Sequence, residues 1–266
     1  MRRWFVFREQ LSFQRKIFLS LLISVCFRAE AGAPAPKYAK TTLRMVSHHE
    51  YLRKHEAPDF WALAGYYQPQ ESGRHCSVAS AAMVLNALRA SRELTASDEL
   101  ITQKSLLEKA KALDWKAMVG EGGRGVTLEQ LKALMTEALA SSGPGPFTAG
   151  KGGASPFTVE AIHIDDLSPN TRKNVHELLV RNEKSAKNFL IANFLQSEYT
   201  GDPDGAVGHL SPVAAYDAKQ KRVLIFDSDR QYYEPYWVSE EVFLKGLNTK
   251  DKGAGAFRGL LWIELK

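Results

Sequence analysis

The residue in this chain best suited to covalent chemistry is Cys76. A turn-rich stretch from Tyr66 to His75 leads up to it, and an alanine-rich run with apolar residues at nearly every position carries on to Ala90. That run reads as a buried helix with the cysteine at its first position. There the sulfur faces unpaired backbone N–H groups and the positive end of the helix macrodipole, an environment that favours the thiolate, the nucleophilic form. A thiolate nucleophile needs a base, and the sequence offers His48, His49, His55, His75, His163, His176 and His209. The first three lie in polar, surface-like sequence, His75 points away from its neighbour, and His163 and His176 have no companion motif. His209 follows Gly208 at the head of an apolar strand, where a sheet edge would hold the ring in place. A hairpin later the next strand ends in Asp227. A carboxylate there can fix the tautomer of His209 and stabilise its charge, as the third member of a triad does. Asp229 is the local alternative. For the oxyanion of a tetrahedral intermediate, the backbone N–H of Cys76 is one donor, and Gln70 or Gln68 in the approach loop is the side-chain donor.

The surrounding elements must position these groups. Helical spacing runs over Thr102 to Lys111, over Thr127 to Ala140 with Thr127 and Gln130 as a capping-box pair, and over Leu167 to Glu183 with Ser168 and Pro169 at its start. The last third changes texture, with short apolar runs at 188–195, 209–216, 222–227 and 257–264 and a hairpin loop from Asp217 to Lys221. Helices first and strands later, without strand–helix–strand alternation, predict an α+β chain with an antiparallel sheet. Residues 40–60 are polar and mixed and read as an amphipathic segment or surface arm. Gly-rich stretches at 120–125 and 149–154, and the Ser/Gly/Pro stretch at 141–146, read as loops, because none carries the Gly-Lys-Ser/Thr of a phosphate-binding loop.

Composition narrows the function classes. With 266 residues, 44% hydrophobic and 24% charged, the chain has enough apolar material for a sizeable core, which excludes disorder and fibrous repeats. Its formal charge of +5 is concentrated at the start, where Arg2, Arg3, Arg8, Arg15 and Lys16 precede the eleven-residue apolar run Ile17–Phe27 and an Ala29-Glu30-Ala31 cleavage pattern. The run is too short to span a bilayer and fits a secretory leader over residues 1–31, cut after Ala31. Removing it takes six of 35 basic residues and two of 30 acidic ones, leaving 29 against 28, or +1, so no global charge supports nucleic-acid binding. It also takes Cys26. The mature chain keeps Cys76 alone, which rules out a disulfide scaffold or a cysteine-rich metal site, and a lone thiol in an oxidising compartment calls for a reason. Residues 32–59 are then expected as an N-terminal arm and 60–266 as the catalytic domain.

Several spaced motifs together resemble the catalytic domain of phytochelatin synthases. They are Gln70 six residues before Cys76-Ser-Val-Ala-Ser80, then Val84-Leu-Asn-Ala-Leu88, Gly208-His-Leu-Ser-Pro212, and Asp227-Ser-Asp-Arg230 followed by Tyr233, Pro235 and Trp237. The resemblance covers roughly residues 60 to 264. It implies a papain-like fold with a helical N-terminal lobe and a C-terminal sheet lobe. It also implies Cys76 as nucleophile, His209 as base and acid, Asp227 as orienter and Gln70 as oxyanion donor. Arg230 matches a family arginine and is expected to bind a substrate carboxylate bidentately. The substrate implied is glutathione, cleaved at its Cys–Gly bond through a γ-glutamylcysteinyl thioester, with water or a second glutathione as acceptor. No cofactor and no resident metal are expected, and cadmium or zinc would enter as a thiolate complex of the substrate. Ser77 departs from the family pattern, which has glycine beside the nucleophile. Two alternatives stand beside this reading: a leader peptidase of related fold that also sets a glutamine six residues before its cysteine, and a non-catalytic periplasmic binding protein.

Overall fold

The computed structural model describes residues 36–91, 93–141 and 156–266. The expected leader and most of the loops between 141 and 154 fall outside those residues. The described chain opens with a short strand β1 (Leu43–Arg44), helix α1 (Glu50–Lys54) and helix α2 (Pro58–Ala64), followed by α3 (Cys76–Ala87), which tightens into a 3-10 turn through Ser91. Next come α4 (Gln103–Lys109), α5 (Trp115–Val119) and α6 (Leu128–Ser141). Sequence chemistry sets their starts. Thr102 and Ser105 exchange capping bonds at α4, Asp114 caps α5, and Thr127 and Gln130 bond reciprocally at α6. Strand β2 (Phe157–His163) then leads to α7 (Pro169–Asn182), capped by Ser168 with Pro169 in its first turn.

The remainder is mostly sheet: β3 (Asn188–Leu195), α8 (Gln196–Thr200), β4 (Gly208–Asp217), β5 (Arg222–Ile225), β6 (Tyr236–Ser239), α9 (Glu240–Leu247), the pair β7 (Lys250–Asp251) and β8 (Ala256–Phe257), and β9 (Gly259–Leu265). Seven strands form one antiparallel sheet in the order β1-β6-β5-β4-β3-β9-β2. Successive side chains of a strand point to opposite faces, and here both faces are covered. Leu210, Ala214 and Leu224 join α3, α6 and Trp115 in one core, while Val213, Val223 and Ile225 join α7, α9 and Tyr199 in a second. Burial on both sides explains why β3, β4 and β5 read as continuous apolar runs. Helix α3 is enclosed from Ser77 to Ala87, and its alanines let it lie close against β4, where the Ser80 hydroxyl donates to Leu210 O at 2.9 Å.

The α+β expectation and its papain-like layout, with a helix headed by the cysteine packed on an antiparallel sheet, describe this architecture. The arm does not. Residues 36–59 belong to the same compact unit as the rest of 36–266. β1 extends the sheet beside β6, Leu52 and Ala57 enter the core, and a boundary at residue 60 would cut α2. Polar composition hid this because few apolar anchors suffice in a segment whose backbone is paired by its neighbours. Among the described residues no helix is long and apolar enough to cross a membrane.

Candidate active site

Cys76 is the first residue of α3, and His75 before it makes no side-chain cap. The first intrahelical bond runs from Ala79 N–H to His75 O. The opening turn of a helix leaves its first N–H groups without intrahelical carbonyls, so Cys76 N–H is available to an anion at the sulfur's side of the helix. The thiol is half-buried.

His209 is the second residue of β4, in register with Phe194 of β3, whose ring meets the imidazole edge-on at 5.5 Å. Its Nε2 lies 2.9 Å from Asp227 Oδ1, and the Cys76 side chain is close enough to bear on the charge of the same ring. With Nε2 engaged by the carboxylate, Nδ1 is the nitrogen left for the sulfur. Burial alone would push the His209 pKa down. The charge of Asp227 and its hydrogen bond, with further contributions from Cys76, outweigh that and raise it well above the ordinary histidine value.

Asp227 is fully out of water. Its Oδ1 also accepts Asp229 N–H at 2.9 Å, and its Oδ2 accepts Gln196 Nε2 at 2.8 Å and the Tyr236 hydroxyl at 2.9 Å. Burial pushes this carboxyl up, but the His209 charge and the donated hydrogen bonds bring its pKa below the usual carboxylate value. Asp229, the sequence rival, gives Asp227 a backbone donor instead of taking its place. Its own pKa is raised, chiefly by burial.

Gln70 is brought to the same place by backbone pairing. Its N–H donates to Ser228 O at 2.8 Å, and its Oε1 accepts the Ser228 hydroxyl at 3.4 Å, which leaves the amide NH₂ to donate elsewhere. Gln68 is turned the other way, its Oε1 held by Gln103 Nε2 at 3.1 Å. The side chain of Gln103, buried on α4, also reaches Pro69 O at 2.9 Å and accepts Glu71 N–H at 3.2 Å. Arg230 is exposed, with its guanidinium 5.3 Å from the Tyr67 ring centre, while the Tyr67 hydroxyl donates to Asp227 O at 2.7 Å.

Sequence spacing missed Gln196, Tyr236, Tyr67, Gln103 and Arg258. The first four are polar residues in apolar or turn sequence whose role exists only once distant strands meet. Arg258 is buried. Its Nη1 donates to Thr249 Oγ1 at 3.1 Å and Lys250 O at 2.7 Å, and its Nε has no partner. Its Nη2 sits 2.8 Å from where a Cβ on Gly208 would be, so only glycine before His209 permits this approach. Ser77, the departure from glycine, is buried, and its Oγ accepts the Trp115 indole N–H at 3.1 Å. Its side chain is therefore turned into the protein, not toward an incoming substrate. Among the described residues no group of three or more His, Cys, Asp or Glu is arranged to hold a metal ion.

Comparisons with known proteins bear on the family of the chain, not on its individual site residues. The sequence model of the phytochelatin synthase family matches residues 45–260. Glutathione gamma-glutamylcysteinyltransferase 3 of Lotus japonicus is 27% identical over 213 residues, which is 77% of this chain and 37% of the relative. Glutathione gamma-glutamylcysteinyltransferases 1 and 2 of Arabidopsis thaliana are each 24% identical, over 91% and 89% of this chain and 44% and 46% of their own lengths. The chain thus spans less than half the length of these relatives.

Proposed function

This chain belongs to the phytochelatin synthase family, and from that premise we propose that it is a thiol enzyme cleaving the Cys–Gly bond of glutathione. The Cys76 thiolate attacks the cysteinyl carbonyl, and the developing oxyanion is held by Cys76 N–H and the Gln70 amide. His209, charged through its pairing with Asp227, gives its proton to the leaving glycine nitrogen. A γ-glutamylcysteinyl thioester remains on Cys76. His209, now neutral, takes a proton from the acceptor as it attacks. Water as acceptor yields γ-glutamylcysteine, and the amino group of a second glutathione yields a phytochelatin dimer. The thiolate leaves in either case and the cycle closes. The observation that carries this reading is the cysteine–histidine–aspartate relay, with a 2.9 Å His209–Asp227 bond at the head of a buried helix.

Glutathione carries two carboxylates, and two guanidinium groups flank the relay. Arg230 on the rim is suited to one. Arg258, buried behind Gly208, is instead tied to Thr249 and Lys250 through Nη1 and serves to hold the strand before His209. Cadmium or zinc enters as a thiolate complex of the substrate. Export through residues 1–31 places the enzyme in the periplasm or outside the cell.

Mass spectrometry of products after incubation with glutathione, with and without cadmium, tests the proposal. Glycine should appear, peptides lacking the γ-glutamyl link should be spared, and Cys76→Ser should release none. Cleavage of ordinary peptides would favour the leader-peptidase alternative, and unchanged glycine release in Cys76→Ser would end the mechanism.

A further inference from the structure

Residues 36–44 precede the family-matched span, yet they tie together the two elements that grip the outer oxygen of Asp227. One of its donors, Gln196, is the first residue of α8. The strap binds the other end of α8 through Ala39 N–H to Thr200 O at 2.5 Å and the Thr42 hydroxyl to Tyr199 O at 2.5 Å. Where it crosses, α8 ends on Gly201 at φ 73°, and a Cβ there would lie 2.8 Å from Ala39 Cβ. Any side chain at this position would lift the strap.

The second donor, Tyr236, begins β6. Arg44 of β1 pairs opposite it, and Met45 N–H donates to Pro235 O at 2.9 Å. Between the two anchors, Tyr38 packs its ring 5.9 Å from that of Tyr236 and 6.2 Å from that of Tyr233, and its hydroxyl accepts Glu234 N–H at 3.0 Å. Lys37 closes the strap, 3.2 Å from Asp202 Oδ2 and 4.5 Å from the Tyr233 ring centre.

We propose that residues 37–44 are a positioning element for the triad. By clamping α8 to β6 the strap fixes Gln196 and Tyr236, and through them the plane of the Asp227 carboxylate that holds His209. The proposal rests on the relay assigned above. A carboxylate whose outer oxygen loses one of its two donors can turn, and a displacement of that kind weakens the imidazolium that stabilises the Cys76 thiolate.

The test uses the full chain carrying Tyr38→Ala with Thr42→Val, beside Tyr38→Phe. It measures kcat and KM for glycine release together with the rate of Cys76 alkylation by iodoacetamide at neutral pH, well below the melting temperature. The double variant should lose about tenfold or more in kcat, within the range that small misplacements cost, with KM unchanged and alkylation slowed in parallel. Tyr38→Phe keeps the ring contacts and should restore both. If the double variant does not fold, Thr42→Val and Tyr38→Leu singly make the same comparison. A variant that melts lower but keeps wild-type kcat and alkylation overturns the proposal. Wild-type protein that releases no glycine would defeat the functional reading instead, while the alkylation measurement would still decide on the strap.

Discussion

Asp227 accepts four hydrogen bonds while wholly enclosed, and the same contacts that orient it keep it ionised against the cost of burial. Substituting Asp227→Asn turns an amide NH₂ toward donors on one side or the other, so His209 loses its tautomer control. We expect kcat for glycine release to fall by about 10²- to 10⁴-fold, as for loss of a general acid–base partner. The pair also leaves a signature in stability. His209 has a raised folded pKa, so its contribution is complete below the ordinary histidine value and is lost as pH rises through the raised one. Asp227 has a lowered pKa, so its contribution is complete above the ordinary aspartate value and is lost as pH falls through the lowered one. The stability gap between wild type and Asp227→Asn should therefore be widest from about pH 4 to about 6.5 and narrow on the alkaline side. Urea unfolding at several pH values measures it, and a gap that widens with alkali would contradict the pairing. Beside the nucleophile, Ser77→Ala strands the buried Trp115 indole N–H. It should destabilise by about 1 to 3 kcal/mol, the cost of an unsatisfied buried donor; an unchanged urea midpoint would show that Trp115 finds another acceptor.

The loop that carries Gln70 is held from two elements, by Ser228 after β5 and by Gln103 of α4. Gln70→Ala should lower kcat by about 10²- to 10³-fold as the loss of an oxyanion donor. Gln103→Leu frees the loop without touching substrate and should lower kcat less, with KM nearly constant. Equal kcat in Gln103→Leu and wild type would mean that Ser228 alone fixes the loop. This division marks what was legible in the sequence. Cys76 and His209 stand out because each heads an element whose period is strong, an alanine-rich helix and an apolar strand. The capping pair Thr127 and Gln130 is equally local and is present as read. Gln103 and Gln196 carry no such mark, because their worth depends on pairing across long stretches of chain: 34 residues to Pro69 and 31 to Asp227. Strand β2, half-buried along most of its length without a clean alternation, and β6, only four residues long, gave too weak or too short a period to separate from their flanks. Residues 36–59 read as an arm because only a two-residue strand and a few apolar side chains, Leu52 and Ala57 among them, tie this polar segment to the sheet and core.

At the scale of the molecule, charge and thiol count lead to a single prediction. On the export proposed above, the basic residues ahead of the apolar run and the Ala29-Glu30-Ala31 pattern beyond it act as a leader, and without it the net charge drops from +5 to +1. Processing after Ala31 would leave a chain beginning at Gly32 with Cys76 as its one thiol. Cys76 is half-buried, beside the ring of His209, and thus within reach of a small alkylating reagent without unfolding. Iodoacetamide at neutral pH should therefore add one adduct to the native exported protein, and denaturation should add none. Glutathione supplied beforehand should slow the native reaction by occupying the sulfur. A second adduct on denaturation would show that Cys26 is retained and the leader uncut. No adduct before denaturation would remove Cys76 as nucleophile and return the chain to the non-catalytic alternative. Intact mass resolves these outcomes on one sample, because leader loss and thiol alkylation shift the mass independently.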